Sequence, residues 1–568
     1  MNNFLPSSAL DALEWDWAQY EPHFTQLVEV ELSPETLGEW MAAWSYLSRL
    51  MLEVFNRLYV ATTVDTTDED AQQRYTAFLE DVFPQRSAGD QRLKEKLLES
   101  GLQPENFQVP LRNLRAEAEL FSESNLPLLS QEQLMVAEHD QITGGQTVEW
   151  EGEEVTLVQL SLVLQDQGRG RRERAWRTIL ERWGQDRESL NELWVRFMDL
   201  RGKLASNAGL ENYRTYRWQQ MLRLDYTPED CLRFHDAIAE VVVPAAQRIY
   251  AKRKAQLGLD SLRPWDLDVD PLGRQALRPF RDVNELIETS ERIFKQLDPQ
   301  LGTYFKIMEQ DGMFELANRK GKAAGAYCED FPLSQRPFIF MNAVGTHDDV
   351  QTMLHEFGHA LHAFEAYSLP YAQQQLYGME IAEVASMSME FLAASYLPKS
   401  AGGFYSDADA ARARIEHLED SIRFWPYMAV VDAFQHWVYL NHTAASDPAN
   451  CDHKWSELWD RFMKGVDWTG LEHEAATGWH RKLHIFQVPF YYVDYGLAQL
   501  GAVQVWSHSL QDQHAAMGAY RYALSLGATR TLAELYAAAG VKLAFDLDTL
   551  GPAVELMEFT IGELEAAS

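Results

Sequence analysis

Apolar positions recur at steps of three and four along much of this chain, a pattern that predicts a mainly helical protein. Between residues 38 and 63, Trp40, Trp44, Leu47, Leu50, Met51, Val54 and Leu58 form one such stripe. A second runs from 171 to 208 through Trp176, Ile179, Leu180, Trp183, Leu190, Leu193, Trp194 and Phe197. A third covers 231–256. Two-residue alternation is scarce. Residues 147–155 read as a small hairpin turning at Glu151-Gly152, and 323–328 and 337–342 read as a pair of strands. Linkers are expected at 141–146 (QITGGQ), 165–170 (QDQGRG) and 257–273, where Gly258, Pro264 and Pro271 gather among acidic residues.

Composition adds limits. Of 568 residues, 46% are apolar and 24% charged, which is ordinary for a folded globular chain. The balance of 50 Lys+Arg against 85 Asp+Glu gives a formal net charge of −35. Such a charge repels phosphate backbones and anionic headgroups, so neither nucleic acid nor membrane is an expected partner. The arginines at 169, 171, 172 and 174 open a helix and read as a solvated face, as do Lys252, Arg253 and Lys254. Cys231, Cys328 and Cys451 are far apart, odd in number and form no CxxC, which argues against a disulfide framework or a thiolate zinc site. The first residues lack the basic and apolar regions of a secretory signal, and no apolar run is long enough to span a bilayer. The expectation is a soluble, cytoplasmic protein.

One segment carries chemistry. In THDDVQTMLHEFGHALHAFE (346–365), Thr346 or Asp348 can cap a helix whose buried stripe is Val350, Met353, Leu354, Phe357, Leu361 and Phe364. His355 and His359 then project from one face a turn apart, and Glu356 follows the first of them. This is H-E-x-x-H, in which two histidines bind zinc and the glutamate activates the metal-bound water. A catalytic zinc needs a third protein ligand. The pattern that takes a third histidine needs Gly at 362 and His at 365; His362 and Glu365 stand there, so it is excluded. His362 itself reads as core or as a residue behind the ligands.

A following helix, 377–397 (YGMEIAEVASMSMEFLAASYL), places Glu380, Glu383 and Glu390 on one face. Burying that acidic stripe among Ile381, Val384, Ala385, Met389 and Phe391 is costly without a cation. The reading is Glu383 as third ligand, with Glu390 and Glu380 behind the ligands, Glu390 orienting a histidine ring. A solvated acidic face is the alternative.

HEFGH together with the E-V-A-S-x-x-x-E of 383–390 resembles the thimet oligopeptidase and oligoendopeptidase F family of zinc metallopeptidases. Gly325-Ala326-Tyr327 and PFIFMN (337–342) resemble the strand pair before the zinc helix in its oligoendopeptidase F branch. HIFQVPFYYVDYG (484–496) resembles the family's segment of one histidine and several tyrosines. The resemblance extends from about 171 to the C-terminus and is strongest over 321–500.

The resemblance implies that His355, His359 and Glu383 bind one zinc ion and that Glu356 is the general base. It implies that His484, Tyr491, Tyr492 and Tyr495 face the substrate, with the oxyanion donor among the tyrosines left open. Gly325, Ala326 and Tyr327 would line the substrate site. The small residues of 323–326 suit an exposed strand edge to which a peptide can add through its main chain. Cys328 either lines that site or packs as a small hydrophobe. The implied fold is mainly α: two helical halves enclosing a deep channel, with a small β-sheet beside the zinc helix. We divide the chain into an N-terminal helical region (1–115), a helical and hairpin region (116–185) and a catalytic domain (186–568). The implied activity is zinc-dependent cleavage of internal bonds in short, unstructured peptides. Its rivals are a dipeptidyl carboxypeptidase on the same scaffold and a catalytically silent peptide binder.

Overall fold

A computed structural model describes residues 5–567. The described residues are mainly helical, with two small sheets. The first stripe forms the helix Leu37–Val64, with Trp40, Leu50, Met51 and Val54 fully buried. The second stripe is two helices, Arg169–Gln185 and Arg187–Asn207, because Asp186 leaves helical geometry (φ −94°, ψ 1°). Its carboxylate is tied to Gln146 and Arg182 at 2.8 and 2.6 Å. The third stripe begins at Pro228 and continues to Gln256 through a π-helical turn, Ile238–Val242, that ends two residues before Pro244.

The hairpin forms as β1 (Thr147–Trp150) and β2 (Glu153–Thr156), with Glu151 and Gly152 both at positive φ, as a tight hairpin turn requires. The second sheet holds β3 (Phe314–Ala317), β4 (Tyr327–Phe331) and β5 (Arg336–Ala343) in the order β3-β5-β4. β3 is parallel to β5 and β4 antiparallel, with Tyr327 opposite Phe340 and Cys328 opposite Ile339.

Two expectations about the connections fail, the second in part. Residues 257–273 are not a linker: Leu262, Trp265, Asp266 and Val269 are buried. The arginine cluster is a solvated face only in part: Arg169 and Arg174 are exposed, but Arg172 is not. Arg172 is 3% exposed and, with Arg169, holds the fully buried Asp266 at 2.8 Å. A buried carboxylate needs such partners, and they fasten the helix Arg169–Gln185 to this connection.

Three hydrophobic cores result among the described residues. One gathers residues from Ala9 to Leu114, a small one surrounds Leu160, Leu164 and Ala175, and the largest runs from Leu120 to Ile561. Cavities of about 960 and 600 Å³ share Val158 and Asn342 in their walls. The smaller is lined by Tyr59 and Thr63 of the N-terminal helices on one side and by Arg481 and Leu483 on the other. The two cavities thus adjoin, and the smaller reaches Leu483, the residue before His484. Among the described residues no helix is long and apolar enough to cross a membrane.

Candidate active site

The histidine helix, His347–Ala366, starts from a reciprocal cap. Thr346 Oγ1 accepts the Asp349 N–H at 3.3 Å, and the Asp349 carboxylate accepts the N–H groups of Val344, Gly345 and Thr346 at 2.9, 2.7 and 2.7 Å. Val350, Met353, Leu354, Phe357 and Leu361 are fully buried, and the Phe357 ring lies 4.0 Å from that of Phe294. Packing therefore fixes both the start and the rotation of the helix. His355 and His359 emerge from it with ring centroids 5.0 Å apart.

Glu383 comes from the helix Met379–Ala393. The two helices touch backbone to backbone at Gly358, where a Cβ would stand 2.5 Å from Ser386 Cα and 2.6 Å from the Ala385 carbonyl oxygen. Any other residue at that position of HEFGH would push the glutamate away from the histidines. As built, Glu383 Oε2 lies 3.3 Å from His355 Nε2 and 3.6 Å from His359 Nε2. Donor atoms of the three residues lie within 4.8 Å of one another. Two imidazoles and a carboxylate converging in this way fit a zinc ion by donor type and spacing.

Glu390 stands behind this set. Its Oε1 is 2.7 Å from His355 Nδ1, and its Oε2 is 2.8 Å from His417 Nε2. That leaves His355 Nε2 as the nitrogen facing Glu383. Burial works to raise the Glu390 carboxyl, but the hydrogen bonds from His355 and His417 outweigh it and hold it down at about 2. Glu383 is likewise held at about 2: burial opposes ionisation, and His359, His355 and the Tyr491 hydroxyl outweigh burial.

Glu356 is 5% exposed and its Oε2 has no hydrogen-bond partner. Burial pushes its carboxyl up to about 7; His355 opposes the rise, and the charges of Glu383 and Glu390 add to it. A carboxyl poised near neutrality with one free oxygen is equipped to take up and release a proton.

The tyrosines separate by role. Tyr491 donates its hydroxyl hydrogen bond to Glu383 Oε1. Tyr495 has its hydroxyl 3.4 Å from His484 Nε2. Burial keeps both phenols protonated by raising them well above their usual range. Of the three tyrosines expected to face the substrate, Tyr492 is the buried one. It is 5% exposed, packs edge-on against the His484 ring at 4.9 Å, and lies beneath the Lys482 ammonium at 4.2 Å. The helix Tyr492–Ser509 explains the split, since one step of 100° turns residue 492 away from the side shared by 491 and 495. Burial lowers the His484 imidazole to about 3, so it is neutral, and its Nδ1 has no partner.

Three arginines that the motifs did not reveal hold this segment. Arg201 donates to the Phe486 carbonyl, Arg217 to that of Pro489 at 3.2 Å, and Arg223 to that of Phe490 at 2.6 Å. Phe490 adopts φ +66°, unusual for a bulky residue, and is fully buried. Gln435 accepts its N–H at 2.6 Å while Arg223 takes its carbonyl, so both backbone groups are satisfied in that turn. Arg223 also pairs with the fully buried Asp494.

Other expectations need correction. Glu380 touches no histidine: its Oε1 accepts from Tyr226 at 2.6 Å and lies 3.5 Å from Arg223 Nε. One turn before Glu383, it faces the arginine rather than the ligands. The strand edge begins at Tyr327, not at Gly325. Gly325 has φ +94°, outside strand geometry, and Asn342 Nδ2 pins its turn by donating to the carbonyls of Ala323 and Gly325 at 2.8 and 3.0 Å. Gly325 and Ala326 are exposed. The Tyr327 side chain turns to the N-terminal helix and meets Thr63 Oγ1 at 2.5 Å. Cys328 is half-buried, and burial, then the Glu356 charge, raises its thiol well above the usual range. His362 is 1% exposed, stacked at 3.5 Å on Tyr377, and belongs to the core.

The chain is similar to several known peptidases. Oligopeptidase PepF of Bacillus subtilis (strain 168) is 24% identical over 335 residues, covering 57% of this chain and 47% of that protein. The plasmid oligoendopeptidase F of Lactococcus lactis subsp. cremoris is 22% identical, covering 71% and 65%. The chain thus spans about half to just under two thirds of the length of these relatives. Among solved structures, PZ peptidase A with an inhibitor superposes with a TM-score of 0.91 at 26% identity, covering 97% of this chain and 98% of that one. The model of peptidase family M3 matches residues 162–550, which include the histidine helix, the glutamate helix and the His484–Tyr495 segment. With more than half of its length matched, and all of the site inside the match, the chain belongs to peptidase family M3.

Proposed function

We propose that this protein is a zinc-dependent oligoendopeptidase that hydrolyses internal bonds of short, unstructured peptides. The observation that carries the reading is the convergence of His355, His359 and Glu383 beside the unpartnered Oε2 of Glu356. Membership of peptidase family M3 supports it.

His355, His359 and Glu383 would hold the zinc, which when bound supplies Lewis-acid polarisation of the scissile carbonyl and acidifies water. Glu356 takes a proton from the attacking water as the new C–O bond forms, and passes it to the amine nitrogen as the C–N bond breaks. His484 and Tyr495 donate hydrogen bonds to the oxyanion; as a neutral ring and a neutral phenol, they do so without losing a proton. Tyr491 holds Glu383, and Glu390 with His417 holds His355. The free edge of β4 would pair with the peptide main chain, which reads no side-chain sequence and suits varied substrates. Asn56 Nδ2 already occupies the Asp330 carbonyl at 2.7 Å, so that edge is open only from Tyr327 to Glu329.

The test is a doubly blocked, fluorescence-quenched peptide with cut sites read by mass spectrometry. Internal cuts that a chelator abolishes and zinc restores are expected. A fully metal-loaded sample that leaves blocked peptides intact but trims free-ended ones would replace this reading with an exopeptidase. The tyrosines give a finer check in the same assay. Tyr495→Phe should lower kcat on the order of 10²-fold, the usual cost of one oxyanion donor. Tyr492→Phe should stay near wild type, and equal losses in the two variants would contradict the assignment.

A further inference from the structure

A second group of donors lies one layer behind the site. Cys231 and His235 stand four residues apart on the helix Pro228–Ala237, and Asp432 and His436 stand four apart on the helix Asp407–Leu440. Each pair shares a helical face, and the two faces meet in the core, the arrangement by which helical proteins build metal sites between packed helices. Cys231 and Asp432 are 0% exposed, His235 1% and His436 3%. Donor atoms of Cys231, Asp432 and His436 lie within 4.8 Å of one another.

The contacts inside the group are not those of a finished hydrogen-bond network. His436 Nε2 is 3.3 Å from Asp432 Oδ2, the same spacing as His355 Nε2 to Glu383 Oε2, yet it makes no hydrogen bond. Asp432 Oδ1 also has no partner. Buried polar atoms left in this way are costly. His235 Nε2 is 2.9 Å from Asp432 Oδ2 and orients the carboxylate. Arg214 Nη1 is 3.5 Å from His436 Nδ1, at the outer limit of a hydrogen bond and too far to fix the ring's tautomer.

We propose that Cys231, Asp432 and His436 bind a second divalent transition metal, zinc by donor type, at a buried structural site with His235 holding the carboxylate. Thiolate, imidazole and carboxylate together suit zinc better than magnesium or calcium, which prefer oxygen alone. Binding releases the Cys231 thiol proton to solvent, and the two anionic ligands then balance the dication, leaving no net charge in the core. The ion would tie the two helices together directly behind Phe490, whose ring is 5.1 Å from that of His436. It would therefore brace the turn that carries Tyr491.

Metal content of the intact protein tests this independently of any peptidase assay. Two zinc ions per chain are expected in the wild type and one in the His355→Ala chain. After cobalt exchange, a near-ultraviolet thiolate-to-cobalt band should appear in both proteins, since the His355 site has no sulfur ligand, and Cys231→Ser should lose it. One ion per chain that vanishes with His355→Ala overturns the proposal, as does a fully cobalt-loaded wild type without a thiolate band. Those two readings need no change in the buried cluster, so they decide the question even where Cys231→Ser fails to accumulate as folded protein.

Discussion

Glu356→Gln is expected to reduce kcat by about 10³-fold, within the 10²- to 10⁴-fold range of general acid–base catalysis, while the bound metal stays in place. Gln matches Glu in shape, so the helix and its buried stripe are undisturbed. It cannot accept the proton, and the water is left without a base. The pH profile gives the second half of the test. Burial raises the Glu356 carboxyl to about 7, and a bound dication would pull it lower. A base must be deprotonated to act, so kcat/KM of the wild type should fall as pH drops through an acid limb at or below about 7. The variant should lose the limb along with the rate. A Glu356→Gln enzyme with near-wild-type turnover, or one that keeps the acid limb, would remove Glu356 from the role.

Arg223→Met is the substitution expected to cost most in stability, about 3–5 kcal/mol, the range seen when one partner of a buried ion pair is removed. The guanidinium is 4% exposed as a residue and pairs with Asp494, which is fully buried. Its loss leaves that carboxylate alone in the core and frees the Phe490 carbonyl in its left-handed turn. Burial already pushes the Asp494 carboxyl well up, with Arg223 as the cation that opposes the rise. Denaturant unfolding should show a large drop in midpoint for Arg223→Met and partial recovery in Arg223→Met/Asp494→Leu, because the second change removes the stranded carboxyl group. Without recovery, the arginine's contribution would lie in its carbonyl contact rather than in the pair.

The legible and illegible parts of this site differ in how far apart in sequence the cooperating residues lie. His355, Glu356 and His359 form a local pattern on one helix, and Glu383 and Glu390 lie at helical spacing on the next. Their relation needed only periodicity and the chemistry of zinc. The break at Asp186 is hidden because the apolar steps of 171–208 continue across it; the Asp186 carboxylate is tied to Gln146, 40 residues away in sequence. Gly358 was in plain view inside HEFGH, but its closeness to Ser386 is a property of two packed helices. His417 lies in a long helix with no motif around it and became visible only through Glu390. A run of tyrosines shows aromaticity, not which ring is buried, as that of Tyr492 is. The error at Gly325 has a local cause: four small residues suggest close backbone approach, yet a glycine at φ +94° begins a turn.

The arginine contacts on the His484 segment have a consequence for the order in which the protein can become active. Arg201, Arg217 and Arg223 precede the carbonyls they hold by 285, 272 and 267 residues. Closing loops of that length comes late in folding, after local helices have formed. The histidine and glutamate helices leave the ribosome before the His484 segment, and that segment is held by arginines on helices made far earlier. On the proposed reading, a nascent chain can bring His355, His359 and Glu383 together while the residues that would hold the oxyanion, His484 and Tyr495, are still unplaced.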